Sequence, residues 1–112
     1  VIDEITDSPY VKSLEEIKKE TISDGKLFYS RLYRLLLQYL EKERTLGISG
    51  KTGEEILTAV MEIGDEEEKI LLMSWLRRAL EAKFRPDMPA PAEIEDIYNA
   101  VRKFLENKVT NK

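Results

Sequence analysis

Histidine and cysteine are both missing from this chain of 112 residues. Their absence excludes Ser–His and Cys–His nucleophile–base pairs, the usual zinc ligand sets and any disulfide or redox motif. Basic charge is not in excess either. Against 18 Lys and Arg stand 22 Asp and Glu, mixed along the chain to a net charge of -4, so no broad positive field awaits a phosphate backbone. Nucleic acid is therefore not an expected partner. The longest apolar runs, such as Leu35-Leu36-Leu37 and Ile70-Leu71-Leu72-Met73, fall far short of the roughly 20 residues that cross a bilayer, and nothing resembles a signal peptide. No membrane span is expected, and the expected location is cytoplasmic. A start at Val1 rather than Met suggests one piece of a larger protein, which could itself be membrane-anchored.

What is present is apolar spacing of the helical kind. With 42% hydrophobic and 36% charged residues, the composition is that of a globular domain, and about two-thirds of the surface of a chain this size can be buried on folding. Residues 1–12 hold no sustained period and read as a flexible N-terminal arm. Ser13, with Glu16 three residues on, has the spacing of a capping box, and Leu14, Ile17 and Ile22 mark a stripe that Asp24-Gly25 ends. From Lys26 to Arg44, Leu27, Phe28, Leu32, Leu35, Leu36, Tyr39 and Leu40 recur at three and four, with Tyr29, Tyr33 and Leu37 widening the face. The glycines of Leu46-Gly47-Ile48-Ser49-Gly50 turn the chain, with the two aliphatic residues tucked beneath. Thr52-Gly53-Glu54-Glu55 predicts a second capping box, and the helix after it should run through Ile63 to a stop at Gly64.

Asp65 and the three following glutamates place negative charge on the first turn of the next helix, where the macrodipole favours it. Its core stripe reads Ile70, Leu72, Met73, Leu76, Ala79 and Leu80, with Trp75 at the edge. Three prolines in 86–91 forbid a continued helix. Pro91 then opens a last helix, striped by Ile94, Ile97, Tyr98, Val101, Phe104 and Leu105, and residues 109–112 should fray. Four to five helices with short loops predict an all-α bundle, one domain over residues 13–108.

Chemistry-bearing motifs are scarce. Gly47 to Thr52 ends in Gly-Lys-Thr, yet lacks the glycine spacing and preceding strand of a phosphate loop. A glycosidase or di-metal site needs acids among apolar positions, and the stripes named above contain none. No catalytic residue, metal ligand or cofactor site is therefore expected, and the chain reads as a non-enzymatic interaction domain. The expected contact surface is the Pro-rich loop Phe84, Arg85, Pro86, Asp87 and Met88 together with Trp75, since aromatic, Arg and Met side chains anchor interfaces. The alternative is a small-molecule-binding bundle, with a cavity among Leu36, Tyr39, Trp75 and Tyr98.

Over residues 27–106 the order of Tyr29, Leu32-Tyr33, Tyr39-Leu40, Leu46-Gly47-Ile48, Thr52 with Glu55-Ile56, Leu76, Glu81-Ala82-Lys83-Phe84-Arg85-Pro86, Ile97-Tyr98 and Leu105 resembles the C-terminal cytosolic helical domain of BatD-type oxygen-tolerance proteins. The step from Glu-Ala-x-Phe into a Pro-containing loop is the most specific part. Related helical domains occur beside MoxR-type AAA+ ATPases and von Willebrand factor A proteins. The resemblance implies protein contact within such an assembly and no reaction. The extracytoplasmic sandwich domains and membrane span of BatD-type proteins have no counterpart in these residues.

Overall fold

A computed structural model describes residues 9–110 of the chain, with side chains through residue 107. Five helices account for its regular structure, and no strand occurs among the described residues, so the all-α expectation holds. They are α1 (Pro9–Glu20), α2 (Gly25–Glu43), α3 (Gly53–Val60), α4 (Glu66–Ala82) and α5 (Pro91–Thr110). The chain forms two compact units, one of Val1–Phe28 with Asp87–Lys112 and the other of Tyr29–Pro86.

In the first unit, α1 begins at Pro9, four residues ahead of the expected cap at Ser13. Proline suits the first helical position, where its missing N–H is not needed. Residues 9–12 of the expected arm are thus helical, because Tyr10 and Val11 share a buried face with Leu14; residues 1–8 lie outside the described residues. Thr21 closes the helix by turning both its N–H (3.0 Å) and its Oγ1 (2.7 Å) onto the Ile17 carbonyl. Ile22 falls beyond that end, so the helical period no longer governs it: it is 85% exposed rather than part of the stripe. Asp24 starts α2 instead of merely ending α1, its Oδ1 accepting the Leu27 N–H at 3.0 Å. Leu27 itself is exposed.

Pro91 opens α5 as expected, and Ile97, Tyr98, Val101, Phe104 and Leu105 are buried along it. The helix is regular through Thr110, two residues into the segment expected to fray. It packs on α1. Lys18 meets Glu95 while Glu15, a turn earlier, meets Arg102 further along, so the two helices run antiparallel.

The second unit is built from the rest of α2 with α3 and α4. Leu32, Leu35, Leu36, Tyr39 and Leu40 are buried as the spacing predicts. Thr45 takes a positive φ of 50°, which lets the Leu46 N–H reach back to the Leu40 carbonyl at 3.2 Å, and Ile48 is buried under the turn. The predicted box forms at α3: Thr52 Oγ1 accepts the Glu55 N–H at 3.2 Å and Glu55 Oε1 accepts the Thr52 N–H at 3.0 Å.

Helix α3 stops at Val60, short of Gly64. The N–H groups of Met61, Glu62 and Ile63 bond three residues back, to Thr58, Ala59 and Val60, tightening the end into a 3₁₀-like turn that still buries Ile63. Asp65 then caps α4 by accepting the Glu68 N–H at 3.1 Å. The buried face of α4 comprises Glu68, Leu72, Trp75, Leu76, Ala79 and Ala82. The expected stripe fails at Ile70, and Met73 and Leu80 on it are only half-buried. Ile70 lies about 200° around the helix from Leu72 and is 60% exposed, whereas Trp75, three residues past Leu72, is core.

Candidate functional site

A groove of about 650 Å³ opens in the first unit. One side is the C-terminal half of α1 (Glu15, Lys18, Lys19) with the turn Thr21-Ile22-Ser23; the other is Met88 and Pro89 with the first turns of α5 (Pro91, Ile94, Glu95, Tyr98). Gly25 and Pro89 meet in its lining. A Cβ on Gly25 would stand 2.9 Å from Pro89 Cβ and 3.1 Å from its Cγ, on a ring that cannot rotate away, so the backbone of α2 approaches the proline only because no side chain intervenes. Two of the apolar side chains in the groove, Ile22 and Met88, are exposed at 85% and 52%.

The groove's charges are mostly settled within the unit. Lys18 Nζ lies 2.6 Å from Glu95 Oε1 and 4.4 Å from the centre of the Tyr98 ring, an ion pair and a cation–π contact on one ammonium. Glu15 is held by Arg102 at 3.0 Å; the same guanidinium donates to Glu106 at 3.0 Å and to the Tyr98 hydroxyl at 3.2 Å. Those acceptors, Glu106 first, raise the pKa of Arg102. Lys19 is exposed and has no ion-pair partner among the described residues.

The second unit holds a different kind of polar cluster. Glu68 is 1% exposed, with its carboxylate engaged on both oxygens: Arg44 Nη2 donates to Oε1, while Arg44 Nε at 2.5 Å and the Tyr39 hydroxyl at 3.2 Å donate to Oε2. The fork geometry of the guanidinium suits this bidentate grip. Burial and then the carboxylate push the Tyr39 phenol well above its ordinary range, and the hydrogen bond to Glu68 raises the pKa of Arg44. This overturns the expectation that no acid enters the buried stripes. Periodicity carries the missing signal, since Glu68 precedes Leu72 by four residues and so shares its face. Ten residues back along α2, Tyr29 accepts from Arg78 Nη2 at 3.2 Å, ten residues on from Glu68, so α2 and α4 run antiparallel and are tied at both places. The cluster's evident work is to fasten the end of α2 to the start of α4. Among the described residues no three acidic side chains gather as metal ligands would, and no helix is long and apolar enough to cross a membrane.

The expected contact residues are dispersed. Trp75 is only 4% exposed and belongs to the core of the second unit, as the α4 face dictates. Phe84 is 79% exposed with Lys83 Nζ 5.6 Å from its ring centre; Arg85 is half-buried, its N–H bonded to the Ala82 carbonyl at 3.2 Å, and Pro86 and Asp87 are exposed. Met88 alone among them lines the groove. Of the four residues expected around a small-molecule cavity, Tyr98 lines it, while Leu36, Tyr39 and Trp75 are buried in the second unit. The groove itself was not legible beforehand, because it is formed where a turn, a glycine and two prolines meet rather than by any periodic pattern. Comparison with protein-family models, with curated proteins and with solved structures finds no match for this chain.

Proposed function

We propose that this chain is a helical protein-interaction domain that binds its partner through the α1–α5 groove. The observation that carries the reading is the pair of exposed apolar side chains, Ile22 and Met88, in a groove whose lining includes the close Gly25–Pro89 contact. Exposed apolar anchors beside a rigid concavity are what an interface core requires. The BatD-type resemblance supplies the partner class, a MoxR-type AAA+ ATPase or a von Willebrand factor A protein.

The test is a binding titration of the purified chain against purified MoxR-type and von Willebrand-type proteins, with wild type, an Ile22→Ala/Met88→Ala double variant and Phe84→Ala. The double variant should weaken binding by about tenfold or more at an unchanged unfolding midpoint, since each anchor is already exposed. Loss of binding in Phe84→Ala with no change in the double variant would move the interface to the loop. A volume of about 650 Å³ also lies in the range of small-molecule sites, which favours the second reading, a ligand-binding bundle; stoichiometric, Ile22-dependent binding of a small apolar carboxylate in place of protein would establish it.

A further inference from the structure

We propose that the second unit carries a contact surface of its own, a basic end that docks an acidic segment of another protein beside the exposed ring of Phe84. The pairing of α2 with α4 sorts charges that the sequence leaves mixed. Tyr29 lies level with Arg78 and Tyr39 with Glu68, so the first part of α2 in this unit stands beside the last turns of α4. That end, residues 29–38 with 73–86, holds Arg31, Arg34, Arg77, Arg78, Lys83 and Arg85 against Glu81 alone. The opposite end, residues 39–44 with 65–72, holds six acids against three bases. Ten residues of helix set the two levels about 15 Å apart. This exceeds the ~8 Å over which physiological salt screens a charge, so each end presents its own field.

Two properties suit the basic end to a protein partner. Arg34 and Arg77 are exposed and have no ion-pair partner among the described residues, and a guanidinium fork can grip a carboxylate on both oxygens. Phe84, just past the end of α4, is 79% exposed, with Lys83 Nζ 5.6 Å from its ring centre. Arginine and aromatic side chains are the groups that carry most interface energy. The positive stretch is also short. Gly53 lies against Leu80, which sets Glu54 and Glu55 of α3 at its border, and the six acids begin at the other end of the same helix pair. A long polyanion such as nucleic acid would run on to these acids, whereas a few carboxylates on a polypeptide meet only the basic end.

The test is fluorescence anisotropy of a labelled glutamate-rich peptide with one central leucine, titrated with the intact chain as wild type, Arg34→Glu/Arg77→Glu, Phe84→Ala, Lys42→Glu/Lys69→Glu and Ile22→Ala/Met88→Ala. Wild type should bind, and molar salt should abolish the binding. Arg34→Glu/Arg77→Glu should weaken it by about tenfold or more and Phe84→Ala by roughly fivefold, both at an unchanged unfolding midpoint. Lys42→Glu/Lys69→Glu makes the same change of net charge at the acidic end and should stay within about twofold of wild type. No binding, or equal losses from the two charge-reversed variants, overturns the proposal. A peptide that loses affinity in Ile22→Ala/Met88→Ala sits in the α1–α5 groove, which overturns this surface and leaves the groove reading standing. Tighter binding of a single-stranded oligonucleotide of equal charge, with the same dependence on Arg34 and Arg77, would overturn the proposal in favour of nucleic acid. Binding to phosphatidylserine vesicles without peptide binding would overturn it in favour of a lipid surface.

Discussion

Both units join carboxylates to cations, but at very different depths. In the second unit the Glu68 side chain is 0% exposed and takes three donors from Arg44 and Tyr39; in the first, Lys18 and Glu95 are 33% and 53% exposed, and Arg102 with its acids is comparably open. Charges at the surface exchange water for one another at little net gain, whereas a buried carboxylate has no water to return to when its partner is lost. The second unit therefore carries a charge that cannot lose its partner cheaply, and the first has its polar contacts arranged around an opening. A contact surface is better served by the latter, because its ion pairs can rearrange with little effect on folding.

The sharpest test of this contrast is Arg44→Ala. It leaves Glu68 buried without its cation and should destabilise the chain by about 3–5 kcal/mol in urea unfolding. Glu68→Leu should do markedly less harm, because the Arg44 side chain is 35% exposed and can turn to water. Equal, small effects from the two would erase the distinction between the units. Tyr39 sharpens it further. Burial, then the Glu68 charge, raises its folded pKa above the ordinary value of 10.0. The folded state therefore keeps a proton that the unfolded state gives up, so the contribution of Tyr39 is complete below about pH 10 and is lost as pH rises through the folded value. Between about pH 9 and 12 the wild-type unfolding midpoint should fall more steeply than that of Tyr39→Phe.

Legibility in the sequence followed the same division. Where a stripe repeats over several turns, as from Leu32 to Leu40 or from Ile97 to Leu105, burial was predictable because helical geometry alone decides which side chains share a face. The Thr52 box was readable for the same reason, its geometry being wholly local. Helix ends were less so: Pro9 began α1 ahead of Ser13, and α3 stopped at Val60 because three successive i→i−3 bonds closed it, with Gly64 unused as a cap. Glu68 was hidden by its residue type, since three consecutive glutamates read as dipole partners although the third lies on the core face. The groove was hidden more deeply. In its lining Gly25 meets Pro89 across 64 residues of chain, a contact no local pattern encodes.

A smaller effect should come from an exposed local feature of the second unit. Thr52→Ala removes one half of the α3 capping box and should cost about 1 kcal/mol, read as a shift of the urea midpoint at unchanged slope. That places it well below Arg44→Ala within the same unit. The depth of the polar group, then, rather than the unit it belongs to, sets the scale. A loss at Thr52 as large as that at Arg44 would contradict this ordering.

The smallest effect is expected at the groove itself. Glu95→Ala deletes the partner of Lys18 but leaves the ammonium 4.4 Å from the Tyr98 ring and open to solvent. The lost pair should be worth no more than about 1 kcal/mol and should shrink further in molar salt, where charges are screened over about 3 Å. Unfolding measured at low and high salt checks both statements. A loss of several kcal/mol that persists in salt would mean that the Lys18–Glu95 pair fastens α1 to α5 as Arg44–Glu68 fastens α2 to α4. The groove could not then exchange that pair for contacts with a partner without weakening the fold.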